Sequence, residues 1–307
     1  MVAISYRNGV SIGEIVVYVP ALAMAALLAI RHGFRRGFFF LIVFSLARVI
    51  GPCLELAATM GDHIKISLLT GSAILQNIGL SPLMMTALAF LSRVLAGITK
   101  NLGQPSFPTA KHLRFIQVIL SAGLLLGIAG GIKASEELQK TGRYVPPPVG
   151  KVAIALFISV YILIVLVTVL TSCTNLSHAD SDEKSLLLAV AISLPFLLVR
   201  VIFSSISSFD SETLPNFNQV SGSVTVWLCM AVIMEMIVVL IYESVGLTLH
   251  TSEGPDESPS SGGYLLGRLI GHIFAVGRRT IIGRLIAAAC NADDEERQRP
   301  RSPSVPR

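Results

Sequence analysis

The side chains of this chain that could do chemistry are a handful of acids, bases and amides set inside long apolar stretches: Glu14, Arg48, Glu55, Asn77, Arg200, Glu235 and Glu243. A charge near the middle of a bilayer costs about 2.5–3.5 kcal/mol on insertion scales, so it faces the interior of a helix bundle and takes a partner. Counting depth at about 1.5 Å per residue puts Arg48, Asn77 and Glu235 at mid-membrane, with Glu14, Glu55 and Arg200 nearer one surface. The expected pairs are Arg48 with Glu235, Asn77 being nearby, and Arg200 with Glu55 or Glu14. Arg48 and Glu55 are seven residues apart, which places them on one helix face two turns from each other. Glu243 reads as interfacial. Such a seam could hold the polar end of a ligand or a proton; ion pairs of this kind also serve only to fix helix order and rotation.

Other chemistries lack their residues. The six histidines (His32, His63, His112, His178, His250 and His272) fall between or after the apolar stretches, and no aspartate lies within one. Intramembrane zinc hydrolysis needs a His/Asp ligand cluster, and serine–histidine proteolysis needs a histidine in the membrane. Aspartyl proteolysis needs two membrane aspartates. The last apolar stretch carries no lysine for a retinal Schiff base, and no phosphate-binding or dinucleotide fingerprint is present. Four scattered cysteines give neither a disulfide framework nor a metal spacing. No metal and no cofactor is expected.

The elements that must position these residues follow from composition. Of 307 residues 52% are hydrophobic and 14% charged, and the mean hydropathy is +0.70. Water-soluble domains carry about a quarter charged residues, so a soluble enzyme, a disordered chain and a nucleic-acid binder are excluded. The net charge of +5 is divided between loops and tail, not gathered on one domain. A span needs roughly 20 mostly apolar residues. Seven stretches qualify, at 11–31, 38–60, 66–92, 114–133, 151–172, 185–206 and 221–247. The expected fold is therefore all-α, a polytopic membrane protein with seven transmembrane helices in residues 1–250.

Lysine and arginine set the expected orientation. Arg31, Arg35, Arg36, Arg93, Lys100, Lys111, Arg114, Lys184 and the eight arginines from Arg268 to Arg307 share one side. Arg7, Lys65, Lys133, Lys140, Arg143 and Lys151 lie on the other. This predicts an N-terminus outside and a C-terminus in the cytosol, although the connection 173–184 is acidic where a basic one is expected. The sequon Asn175-Leu176-Ser177 would then lie on the cytosolic side and stay unmodified.

After the last span, 251–263 is a polar linker. Residues 264–290 read as a basic amphipathic helix whose Arg268, Arg278 and Arg279 would meet the anionic inner leaflet. Residues 291–307 read as a disordered tail.

Prolines interrupt four spans, at Pro20, Pro52, Pro82 and Pro195. The third span is the weakest helix, reading Gln-Asn-Ile-Gly-Leu-Ser-Pro over Gln76–Pro82. Broken helices at mid-membrane line binding sites in some transporters, but a plain kink is the expectation here. Gly123, Gly127, Gly130 and Gly131 give the fourth span a small face for close helix packing.

Several strings together resemble an uncharacterised family of integral membrane proteins from filamentous fungi. They are Tyr6–Pro20 (YRNGVSIGEIVVYVP), Arg31–Phe34 (RHGF), Leu46–Gly51 (LARVIG), Asn77–Leu83 (NIGLSPL), Ser193–Arg200 (SLPFLLVR) and Glu235–Tyr242 (EMIVVLIY). The resemblance covers about 5–250. It implies a seven-helix bundle and a fungal source, and it implies no activity.

Three functions compete. The first is a non-enzymatic bundle that binds or transfers a hydrophobic small molecule or lipid through a polar cavity at Arg48, Asn77 and Glu235. The second is an enzyme of secondary metabolism, similar to membrane terpene cyclases, in which a desolvated, protonated Glu235 or Glu55 starts cyclisation. An arginine beside either acid opposes it, and aromatic residues amount to only 7%. The third is a seven-helix receptor, whose support is topology alone because the rhodopsin-type signatures are missing. The first reading is preferred.

Overall fold

The computed structural model describes residues 6–32, 37–59, 66–102, 110–141, 147–175, 180–209, 215–217 and 222–249. The linker, amphipathic helix and tail expected at 251–263, 264–290 and 291–307 fall outside them. Among the described residues the chain is helical throughout and has no strand. The helices are α1 (Tyr6–His32), α2 (Phe38–Thr59), α3 (Ile66–Ile78), α4 (Leu80–Leu102), α5 (Ala110–Thr141), α6 (Pro148–Asn175), α7 (Ser181–Phe209), α8 (Val224–Trp227) and α9 (Ile233–Thr248). Among the described residues seven helical runs are long and apolar enough to cross a membrane, the third being Gly71–Asn101 and the seventh Val224–Thr248.

The bundle is built inside out relative to a soluble protein. In α1 the buried face carries Asn8, Ser11, Glu14 and Tyr18 at helical spacing, while Val16, Leu27 and Ile30 are 66%, 61% and 72% exposed. Water would make that arrangement costly, whereas hydrocarbon makes it natural: the apolar side faces lipid and the polar groups find partners within. The third span sits at the centre, with 78% of its apolar window buried against 22–50% for the other six. Every residue from Leu80 to Leu88 is buried, as expected of a helix apolar all round.

That span is broken. A turn at Gly79 separates α3 from α4, so Pro82 falls in the first turn of α4, where its missing N–H leaves no hydrogen bond unmade. The kink expected at Pro82 is instead a break three residues earlier. Pro20, Pro52 and Pro195 lie within unbroken helices. The seventh span holds a different irregularity, a π-helical turn over Leu228–Val232 between α8 and α9.

Two local contacts explain further sequence features. At Gly130 a Cβ would stand 2.9 Å from the Cα and N of Gly150, so α5 and α6 meet backbone to backbone where the glycine face predicted close packing. At the start of α7, the amide of Asp180 donates to Glu183 Oε2 at 3.0 Å, and the amide of Lys184 donates to the Asp180 carbonyl at 2.9 Å. This is half of a capping box. The acids in the unexpectedly acidic connection therefore have a helix to start.

Candidate functional site

The centre of the polar seam is Glu235, fully buried on α9. Its Oε2 accepts a hydrogen bond from Arg48 Nη2 and its Oε1 one from Arg200 Nε at 2.5 Å. Arg200 spends its remaining donors locally, Nη1 on Ser204 Oγ and Nη2 on the backbone carbonyl of Gln76 at 3.4 Å. Phe44 lies one turn before Arg48 and Phe203 nearly one turn after Arg200; each ring centroid is 5.7 Å from its guanidinium carbon, a cation–π contact on each cation. Both arginine side chains are 1% exposed.

The break at Gly79 makes room for this arrangement. A Cβ there would stand 3.2 Å from Phe44 Cε2 and 3.3 Å from both Arg48 Nη2 and Glu235 Oε2. The residue that weakens the third span thus lets its backbone lie against the ion pair. On the other side, the Tyr18 hydroxyl donates to the carbonyl of Val232 at 3.5 Å, the last residue of the π turn.

A second network surrounds Glu55, also fully buried. Its Oε1 accepts from Arg7 Nε. Its Oε2 accepts from Ser11 Oγ at 3.2 Å and Gln76 Nε2 at 3.1 Å. Gln76 also donates to Ser72 Oγ at 3.2 Å, so this one residue joins the two networks, by its side chain to Glu55 and by its carbonyl to Arg200. Close by, Thr59 Oγ1 donates to Asn8 Oδ1 at 3.0 Å.

The two networks form one reciprocal pattern across α1 and α2. In α1 the cation Arg7 precedes the anion Glu14 by seven residues; in α2 the cation Arg48 precedes the anion Glu55 by seven. Antiparallel packing sets Arg7 against Glu55 and Glu14 against Arg48, and Arg48 Nη1 stands 3.6 Å from Glu14 Oε1. Sliding one helix by a turn would break both pairs, so they fix the register of α1 on α2.

Of the expected pairings, Arg48 with Glu235 is present. Arg200 pairs with Glu235, not with Glu55 or Glu14: its side chain carries Nε to Glu235 Oε1 from a Cα five residues off the middle of α7. Glu14 faces Arg48 and Glu55 faces Arg7. Glu243, expected at the interface, is 6% exposed. Asn77 is half-buried. It lines a crevice of about 50 Å³ bordered by Gly127, Gly130, Phe157, Ser204 and Ser208.

Arg7, Ser11, Gln76 and Ser204 belong to the networks, a place that the sequence analysis does not give them. The seven-residue spacing of opposite charges in both of the first two spans was the available signal for Arg7, once the first helix is allowed to begin at Tyr6. Serines and glutamine on an apolar background carry no comparable mark.

Seven apolar helical spans packed around a buried arginine–glutamate network define a multi-pass membrane protein. A family model described as a domain of unknown function, DUF7702, matches residues 4–252. The chain belongs to that family. No curated protein and no solved structure matches it.

Proposed function

We propose that this protein binds, or transfers within the bilayer, a hydrophobic small molecule or lipid whose polar end enters the crevice at Asn77, Ser204 and Ser208. The observation that carries this reading is the double duty of Ser204. It lines the crevice and accepts a hydrogen bond from Arg200, so a group held there touches the charge network through one hydroxyl. The crevice walls offer amide and hydroxyl groups and no charge, which suits a neutral hydrogen-bonding head. At about 50 Å³ the space admits the head alone, and the apolar remainder stays among lipid tails beside the glycine face of α5 and α6. The orientation expected from lysine and arginine, and contact of Arg268, Arg278 and Arg279 with an anionic leaflet, are part of the same proposal.

Terpene-cyclase-like acid catalysis finds less support. Both oxygens of Glu235 and of Glu55 are already engaged by donors within the bundle, a guanidinium among them in each case.

The test is mass spectrometry of the full chain isolated in native-lipid particles. Wild type is expected to retain one apolar compound or lipid class above its level in the surrounding membrane. Asn77→Leu combined with Ser208→Val is expected to lower that enrichment about tenfold, the worth of one or two hydrogen bonds. Enrichment unaltered by the double substitution, or none in wild type, would overturn the crevice as the site.

A further inference from the structure

Glu14 is the carboxylate of the central network that no hydrogen bond holds among the described residues. Its side chain is 1% exposed, and neither of its oxygens has a hydrogen-bond partner among the described residues. Arg48 Nη1, at 3.6 Å, is beyond hydrogen-bonding distance, and Arg48 commits Nη2 to Glu235. Arg48 Nε and Nη1 likewise have no partner among the described residues. Unused acceptors and unused donors thus face each other in a region closed to water. By contrast Glu235 and Glu55 accept two and three hydrogen bonds.

The charges around Glu14 come from every helix packed on it. Arg7 precedes it on α1, Arg48 and Glu55 face it from α2, and Glu235 faces it from α9. Arg200 on α7 stands behind Glu235. Burying a carboxylate charge without hydrogen bonds is expensive, and a bound proton removes that charge. Without the proton, the natural partner is Arg48: turning its Nη1–Nη2 end from Glu235 to Glu14 would give a two-pronged contact, while Glu235 keeps Arg200. The way in from the half-exposed end of α1 is short. Arg7 is 25% exposed at its side chain, and Ser11, bonded to Glu55, lies one turn from Glu14 on the same face.

We propose that Glu14 is a proton-binding site that competes with Glu235 for Arg48. With the proton on, Arg48 stays with Glu235, the arrangement seen here. With the proton off, Arg48 turns to Glu14. This does not depend on the crevice or on what enters it.

The experiment is infrared difference spectroscopy of the full chain in lipid nanodiscs, with isotope-labelled glutamate, across mildly acidic to alkaline buffers. The expected result is a protonated carboxylic-acid carbonyl band that moves with the label and disappears reversibly on alkalinisation. It should be missing in Glu14→Gln and retained in Glu243→Gln, where the other poorly partnered buried acid is removed. Absence of such a band in wild type, its survival in Glu14→Gln, or its loss in Glu243→Gln would overturn the proposal. Should Glu14→Gln fail to fold, Glu14→Asp decides: the band must change frequency, and an unchanged band is equally fatal.

Discussion

The networks at Glu235 and Glu55 use the same chemistry at two levels of the bundle and differ in what surrounds it. Around Glu235 both cations are 1% exposed, and the anion is the shared partner of two arginines from different helices. Around Glu55 the cation Arg7 is 25% exposed and two neutral donors, Ser11 and Gln76, share the load. Removing one member of a fully buried pair strands a charge, whereas a partly exposed arginine can be rehydrated. The first network therefore ties α2, α7 and α9 together, and the second fixes where α1 lies along α2.

This contrast can be broken by substitution, and the largest effect is expected at its centre. Glu235→Leu strands Arg48 and Arg200 and should cost roughly 3–5 kcal/mol, read as loss of folded protein in thermal unfolding in nanodiscs. Adding Arg48→Met and Arg200→Met should restore most of it, since an apolar replacement of a whole buried ion cluster is often neutral. No recovery would mean that the network specifies the packing of the three helices and is not merely tolerated. Next is Gly79→Val, which pushes side-chain atoms into Phe44, Arg48 and Glu235 and should cost about 1–3 kcal/mol. The smallest effect is expected for Arg7→Met, about 1–2 kcal/mol, because the buried Glu55 loses its cation but keeps hydrogen bonds from Ser11 and Gln76. A loss at Arg7 as large as that at Glu235 would show that the two networks do not differ in the way their exposure implies.

The spans were legible because hydropathy over some 20 residues is a property of composition, which neighbours cannot overturn. Arg48 with Glu235 was legible because each lies far from both ends of its span, so an error of a few residues leaves them level. Arg200 was misplaced because depth counted to the backbone ignores the reach of a long side chain, which carries its guanidinium to Glu235. The break at Gly79 was half visible. Gln76–Pro82 is plainly a poor helix, but whether such a stretch bends or breaks depends on what lies against it, and that is Arg48 and Glu235 from distant parts of the chain. Asn77 was assigned to the charges by depth alone. Depth says nothing of direction around the helix, and its neighbour Gln76 is the residue that joins the networks.

The π turn at Leu228–Val232 has a consequence for how the chain can change length. An α-helix advances about 100° per residue, so losing one residue from an ordinary turn of a span swings everything beyond it away from its partners. A π turn holds one residue more than an α turn. Deleting a residue between Leu228 and Val232 would let the turn close as regular helix while Trp227 and Glu235 keep their facings. The seventh span thus carries a spare residue beside the ion pair, a place where a deletion can be absorbed without turning Glu235 away from Arg48 and Arg200.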